Sequence, residues 1–101
     1  MRIIVMFDLP TLTVEDNRNY RQFRKFLIKS GFIMMQESIY TKLALNPSSA
    51  ELYRKQVRKA IPKDGLVQML TITEKQFQDM ELLLGKTQTA CLDSDKRFVK
   101  I

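Results

Sequence analysis

The chain has 101 residues, 45% of them hydrophobic and 28% charged, with a formal net charge of +6. This composition predicts one globular domain over residues 1–101, and the charge is typical of a protein with a polyanionic partner. Cys91 is the single cysteine and histidine is missing, which excludes an internal disulfide and any Ser-His or Cys-His nucleophile. The sequence also lacks a membrane-length apolar run and a signal-peptide pattern, which predicts a cytoplasmic protein without membrane contact.

The first predicted element is a strand that ends in a carboxylate. Residues 3–7 form a continuous apolar run rich in β-branched side chains, which predicts a strand covered on both faces in the middle of a sheet. Asp8 follows directly, and Pro10 has no N–H to continue central pairing. Any chemistry is therefore expected at the edge of the sheet where Asp8 lies.

A helix is predicted next, from residue 15 to about residue 30. Thr13 and Asp16 resemble a capping pair, and Gly31 is a typical helix terminator. Aromatic and leucine side chains gather on one side of this helix, and cations gather on the other, with Arg24 at the boundary. The other cations are Arg18, Arg21, Lys25 and Lys29. A solvated surface is the common explanation, but no acid at 17–30 pairs with these charges, so a binding face is favoured.

Residues 32–45 contain no glycine or proline and mix apolar, aromatic and β-branched residues. This predicts one long strand, or two strands joined by a bulge near residues 36–38. Period-2 alternation places a polar set on one face. That set is Gln36, Ser38, Tyr40 and Lys42. Either these groups are solvated, or they contact phosphate or a second subunit; both interpretations stay open.

The second half of the chain predicts another helix, capped by Asn46 with Pro47 at its first position, then a strand at 66–73 and a helical turn opened by Thr73. Residues 82–84 are interpreted as a further short strand. Residues 85–101 are predicted to be a polar tail whose terminal strand, 97–101, pairs across a dimer or with a partner.

The order β-α-β-β-α-β predicts an α+β, ferredoxin-like domain with an antiparallel sheet.

Asp8 allows two interpretations. An aspartate before a proline-containing loop commonly caps the turn through its side chain, and this structural role is the more frequent one. Alternatively, Asp8 binds Mg²⁺, which often takes only one or two protein carboxylates and completes its shell with water and phosphate. Two copies of Asp8 could share such an ion across a dimer axis. The remaining acids are scattered, with Glu37 placed in mid-strand.

Four short motifs follow one another with a specific order and spacing. They are Phe7-Asp8-Leu9-Pro10, Tyr20-Arg21-Gln22-Phe23-Arg24-Lys25-Phe26-Leu27, Gly31-Phe32 and Gln36-Glu37-Ser38-Ile39-Tyr40. In these motifs, and over nearly its whole length, the chain resembles the family of CRISPR-associated protein two. These are small proteins of the spacer-acquisition machinery, and the resemblance is to the form found beside the Cas9-type effector.

The resemblance implies a ferredoxin-like homodimer in which Asp8 is the catalytic residue and the metal ligand, with Mg²⁺ shared at the dimer axis. It also implies a bridge between two CRISPR integrase dimers that holds double-stranded DNA. Phe7 stands where many members carry tyrosine, which favours a non-catalytic role. Three hypotheses follow: a DNA-binding bridge using Arg18, Arg21, Arg24, Lys25 and Lys29; a Mg²⁺-dependent endonuclease on RNA or DNA; and, least favoured, a generic RNA-binding module.

Overall fold

Four strands and three helices occupy residues 1–85, the part of the chain that the computed structural model describes. They are β1 (Arg2–Asp8), α1 (Val14–Lys29), β2 (Ile33–Gln36), β3 (Ile39–Leu43), α2 (Pro47–Ala60), β4 (Leu66–Ile72) and α3 (Glu74–Gln78). The predicted order β-α-β-β-α-β is confirmed, and α3 is the helical turn expected after the last strand. The predicted tail strand at 97–101 lies outside the described residues.

The four strands form one antiparallel sheet in the order β2-β3-β1-β4. The apolar strand β1 is interior, as its composition predicted, and Val5 lies between Tyr40 of β3 and Met69 of β4. Strand order and antiparallel pairing are those of the ferredoxin-like fold. Both long helices cover one face, with α1 contacting β2 and α2 contacting β1. The opposite face, called the helix-free face below, carries no long helix within residues 1–85.

Side-chain caps fix where the helices begin. The Thr13 hydroxyl accepts from the Asp16 N–H at 3.0 Å, and the Asp16 carboxylate accepts from the Thr13 N–H at 3.2 Å, which completes a capping box. Asn46 accepts from the Ser49 N–H at 2.8 Å at the start of α2. Each cap satisfies backbone donors that the first helical turn leaves unpaired. All the predicted caps are confirmed, including the one opened by Thr73.

The core lies between the sheet and the two long helices. Phe7 is at its centre: its ring meets Phe23 edge-on at 5.1 Å between centroids and stacks on Tyr40 at 5.8 Å. Leu27 and Val57 close the helical side of the same cluster. Burying an apolar side chain of this size contributes about 1.5–3 kcal/mol, so each of these core side chains stabilises the fold substantially.

Residues 32–45 form two strands joined by a tight turn at Glu37 and Ser38, where Ser38 adopts a φ of 67°. Two strands are present as one alternative predicted, but a tight turn rather than the predicted bulge joins them, and a separate register shift lies between Met34 and Gln36. The prediction of a polar, accessible face was wrong for Tyr40, which is 1% exposed. Tyr40 points toward the helices, and its ring is buried in the core.

The short strand predicted at residues 82–84 was also wrong, because this segment has no strand structure. Leu83 and Leu84 are 86% and 92% exposed, and no strand in residues 1–85 pairs with them. A strand needs a neighbour to satisfy its backbone groups, and an apolar run does not supply one. No helix in the described part of the chain is long and apolar enough to cross a membrane.

Candidate functional site

Asp8 is the last residue of β1, paired with Leu66 of β4, and its side chain is exposed. Because side chains alternate along a strand, Asp8 lies on the helix-free face together with Ile4 and Met6. No residue among 1–85 donates a hydrogen bond to its carboxylate. The turn-capping interpretation therefore has no support in the described residues, and the carboxylate is available to a ligand.

A shallow cavity of about 290 Å³ opens beside Asp8 at this end of the sheet. Its lining combines carboxylates, a hydroxyl and an amide with apolar side chains. The lining residues are Met6, Phe7, Asp8, Glu37, Ser38, Ile39, Leu66 and Gln68. Sequence reasoning placed Glu37 in mid-strand and missed its approach to Asp8. The approach results from the hairpin turn, which is held beside β1 by the Phe7 N–H donating to the Ser38 carbonyl at 3.1 Å.

The donor set at this cavity is small. Within residues 1–85 there is no group of three or more histidine, cysteine, aspartate or glutamate side chains that could hold a metal ion. Asp8 and Glu37 are the two carboxylates at the cavity. Mg²⁺ keeps several waters and often uses one or two protein carboxylates with substrate phosphate, so these residues fit a hydrated Mg²⁺ ion but not a closed metal cage.

Gly65 fixes the position of the strand end that carries Asp8. Its φ is +100°, and a Cβ at this position would lie 2.9 Å from the Asp8 carbonyl oxygen and 2.7 Å from a methyl carbon of Leu9. Only glycine adopts this φ without strain and leaves room for so close a backbone approach. The turn before β4 is therefore built directly against the end of β1.

All five cations predicted on α1 are exposed, and none forms a salt bridge within residues 1–85. The arginines of α2 differ, because Arg54 and Arg58 contact Glu51 at 2.7 and 3.2 Å. Hydrogen bonds from Arg54 and then Arg58 hold the pKa of Glu51 below its ordinary value. Positive charge on α2 is thus partly neutralised locally, whereas that on α1 is not.

The structure does not bring Asp8 and the outward cations of α1 together. Asp8 lies on the helix-free face of the sheet, and α1 covers the opposite face with its apolar side inward. Arg24 is the one cation of this set tied to the sheet, since its Nε donates to the Tyr40 hydroxyl at 2.8 Å. The molecule therefore has two separate candidate surfaces, one around Asp8 and one along α1.

The helix-free face of the sheet is apolar. Four large side chains lie on this face, as the strand register shows. They are Ile33, Leu43, Leu66 and Leu70, and each is about half exposed. At the centre of this face, the Thr41 hydroxyl is buried and has no hydrogen-bond partner in the described chain. A contiguous apolar face of this kind marks an interaction surface.

Fold and site together define a class: a small ferredoxin-like α+β protein with a carboxylate at the end of its first strand and an unpaired basic first helix. A family model described as CRISPR associated protein Cas2 matches residues 1–80. The chain therefore belongs to the CRISPR-associated protein Cas2 family, which confirms the resemblance recognised in its motifs.

Relatives of known name agree with this assignment. The chain is 50% identical over 99 residues to the CRISPR-associated endoribonuclease Cas2 of Treponema denticola, with 98% of both chains covered. It is 48% identical over 99 residues to the protein of that name from Streptococcus mutans strain UA159, covering 98% of this chain and 91% of the relative. The crystal structure of Streptococcus pyogenes Cas2 at pH 6.5 matches with a TM-score of 0.60 and 16% identity, over 82% of this chain and 99% of that one, which is a likeness of fold.

Proposed function

We propose that this protein acts in CRISPR adaptation as a homodimeric bridge that binds duplex DNA between two integrase dimers. The observation that carries the proposal is the division of the surface: exposed cations with no salt bridge among residues 1–85 lie on α1, and an apolar sheet face lies on the other side. One face is suited to a second copy of the chain and the other to a polyanion. We expect the tail at 85–101 to contact the integrase, and from residue 86 onward it lies outside the described residues.

The helix-free face supports the dimer. A protein exposing several half-buried leucine and isoleucine side chains on one sheet gains stability by covering them, at about 25 cal/mol per Å² of apolar area. A second copy offers the same apolar side chains, and sheet-on-sheet packing is a common way for two such faces to meet. Asp8 lies at one end of this face. A twofold axis that passes near this end would bring the two Asp8 carboxylates of a dimer toward a common centre.

The basic side of α1 supports duplex binding. Arg18, Arg21, Lys25 and Lys29 recur at helical spacing, and at 1.5 Å per residue they extend over roughly 16 Å. Phosphates repeat every ~3.4 Å along one DNA strand, so this row is long enough to face several of them. In a dimer the two helices would form one extended positive surface, which suits a duplex better than a small ligand.

The dimer and its binding surface are tested together by substituting matched leucines. Leu70 lies on the helix-free face and Leu52 on α2, and the two side chains are about equally exposed. We expect Leu70→Glu to shift the protein to a monomer in sedimentation velocity and to weaken binding of a 20-base-pair duplex. Leu52→Glu, with the same change in charge, should remain dimeric. A wild-type protein that stays monomeric at high concentration, or that binds no duplex at low salt, would refute the proposal.

A second candidate function is metal-dependent phosphodiester cleavage, with Asp8 as the catalytic residue. It is favoured by the exposed carboxylate of Asp8 beside Glu37 in one cavity, and relatives carry the name endoribonuclease. Asp8 would hold Mg²⁺, which when bound activates water and stabilises charge on phosphate. The RNA-binding module is disfavoured, because the aromatic side chains on the described strands, Phe7 and Tyr40, are buried and offer no stacking platform.

A further inference from the structure

We propose that Tyr40 is a positioning residue that orients the Arg24 guanidinium toward one phosphate of a bound duplex. The inference rests on the proposed duplex binding and adds to it a distinction among the cations of α1. In this arrangement the Arg24 side chain is already oriented and sets the position of the duplex on the protein. The other four cations of α1 are flexible and adjust their conformations to the bound duplex.

The Tyr40 hydroxyl is held by the core of the protein. Tyr40 is 1% exposed, its ring stacks on Phe7 at 5.8 Å with an interplanar angle of 18°, and its backbone pairs with Val5. From this fixed position the hydroxyl accepts a hydrogen bond from Arg24 Nε at 2.8 Å. A surface arginine is thus hydrogen-bonded to one of the most deeply buried side chains of the fold.

This hydrogen bond leaves the outer part of the guanidinium free. Arginine has five N–H donors in a planar fork, and the bond to Tyr40 uses only the one on Nε. Nη1 and Nη2 make no hydrogen bond within residues 1–85, and the Arg24 side chain is exposed. Two parallel N–H groups in one plane match the geometry of a phosphate and bind it bidentately.

Arg24 differs in this respect from its neighbours on the helix. Within the described part of the chain, Arg18, Arg21, Lys25 and Lys29 have no side-chain hydrogen bond that fixes them. A free arginine or lysine loses considerable rotamer freedom when it is immobilised on a ligand. Arg24 has already lost part of that freedom on folding, so a phosphate contact at Arg24 costs less to form.

The position of the hydrogen bond between Arg24 and Tyr40 determines where on α1 the phosphate contact lies. Arg24 lies at the boundary of the basic side, where α1 meets the sheet, rather than at its outermost line. A phosphate held there places the backbone of the duplex along the flank of α1. Because Tyr40 also packs on Phe7, the residue before Asp8, the contact is fixed relative to the strand end that carries Asp8.

The test is a double-mutant cycle with a 20-base-pair DNA duplex, measured by fluorescence anisotropy. Tyr40→Phe removes the acceptor and keeps the ring, and Arg24→Lys keeps the charge and removes the Nε donor. We expect each to weaken binding roughly three- to tenfold, the range expected for loss of one orienting hydrogen bond. The double variant should bind no more weakly than either single variant, because both remove the same interaction.

Salt dependence and a control distinguish positioning from charge and from stability. Tyr40→Phe should leave the slope of log K against log[salt] unchanged, whereas Arg24→Gln should reduce it by about 0.9. Tyr20→Phe is the matched control, since the Tyr20 ring also packs on Phe7 and its hydroxyl has no hydrogen-bond partner within residues 1–85. It should bind like the wild type, and thermal melting establishes that each variant is folded.

The outcomes separate this inference from the function on which it rests. If the wild type binds the duplex and Tyr40→Phe binds equally well, or if the two substitutions are fully additive, the positioning role is overturned and duplex binding stands. If the wild type binds no duplex, both are overturned. Should Tyr40→Phe fail to fold, Arg24→Lys decides alone, because it leaves the core intact: wild-type affinity in that variant overturns the inference.

Discussion

The Lys42 ammonium lies 3.9 Å from the centroid of the Tyr53 ring and donates a hydrogen bond to the Ser30 carbonyl. One side chain of β3 thereby contacts the face of an aromatic ring on α2 and the C-terminal end of α1. A cation at the C-terminus of a helix is favoured by the partial negative charge of the unpaired carbonyls. Lys42 therefore connects the sheet to both long helices.

Replacing Lys42 by methionine should destabilise the protein by about 1–2 kcal/mol, since it removes the cation–π contact and the bond to the Ser30 carbonyl while keeping the side-chain stem. Chemical denaturation measures this difference. Lys55→Met on the exposed side of α2 is the matched control, and we expect it to change stability by less than about 0.5 kcal/mol. Equal effects of the two substitutions would mean that the contacts of Lys42 contribute nothing.

Gly65→Ala should destabilise the protein by at least about 2 kcal/mol, because the added Cβ meets the Asp8 carbonyl and Leu9 in a backbone conformation that alanine rarely adopts. Gly85→Ala is an informative control, since Gly85 has a similar φ of +105° but a Cβ added there would meet no atom of residues 1–85 within 4 Å. The difference in unfolding free energy between the two variants isolates the close approach to Asp8. A Gly65→Ala protein as stable as Gly85→Ala would show that the turn relaxes freely.

The ion pair of Arg2 and Glu74 predicts a pH dependence. A hydrogen bond from Arg2 lowers the pKa of Glu74 from the ordinary value of 4.5, against a smaller opposing effect of burial. The charged form is therefore stabilised by folding, so the contribution is present above pH 4.5 and is lost as the pH falls through the lowered pKa. Because the Glu74 side chain is 37% exposed, we expect only about 0.5–1 kcal/mol.

Denaturation of Glu74→Gln and the wild type as a function of pH measures this contribution. The two proteins should differ in stability at pH 7 and converge once the pH has fallen below the lowered pKa of Glu74, because protonated glutamate no longer pairs with Arg2. Glu81→Gln, an exposed acid with no ion pair in the described residues, should follow the wild type throughout. A Glu74→Gln difference that is constant with pH would exclude the ion pair as its source.

The elements of the fold were predictable because their signals are local. Each of these signals determines structure only a few residues away. They are the caps at Thr13 and Asn46, the apolar run of β1 and the glycine after α1. The strand predicted at residues 82–84 is absent because a strand depends on pairing with a distant segment, and a local run of leucines does not specify that partner. Element type therefore followed from the sequence wherever the determining contacts are short in range.

The site was less predictable because it depends on contacts between distant segments. Alternation separated the two faces of β3 correctly, but it could not say which face the helices cover, and it left open whether the Tyr40 hydroxyl meets solvent, phosphate or a second subunit. The hydroxyl of the core residue Tyr40 can be buried because Arg24, 16 residues earlier, supplies its hydrogen bond. Glu37 approaches Asp8 only through the hairpin, a relationship that no spacing between two such residues reveals.

Asp8→Asn should abolish any Mg²⁺-dependent cleavage of RNA or DNA oligonucleotides, because the amide lacks the negative charge that would hold the ion in the proposed site. Chelation of Mg²⁺ by EDTA should give the wild type the same phenotype. Stability should change by less than about 0.5 kcal/mol, as the carboxylate makes no hydrogen bond within residues 1–85. Asp64→Asn, in the neighbouring turn but outside the cavity, serves as the control, and cleavage that persists in Asp8→Asn would remove Asp8 from the reaction.

The same Asp8→Asn protein should bind duplex DNA in EDTA as tightly as the wild type. The cations of α1 lie on the other side of the sheet from Asp8, so the loss of one carboxylate there leaves their contacts unchanged. Anisotropy with a labelled duplex measures this. Substantially weaker binding in EDTA would show that Asp8 supports the dimer itself, an outcome that sedimentation of the variant would detect.

Replacing Arg18 and Arg21 together by glutamine should reduce the slope of log K against log[salt] by about 2, because each lost phosphate contact removes roughly 0.9 from it. Replacing Arg54 and Arg58 changes the net charge of +6 by the same two units, but these arginines are paired with Glu51. If α1 contacts the duplex directly, only the first pair of substitutions should lower the slope by this amount. Equal slopes for both double variants between about 50 and 200 mM salt would mean that only the total charge matters and that α1 is not the binding surface.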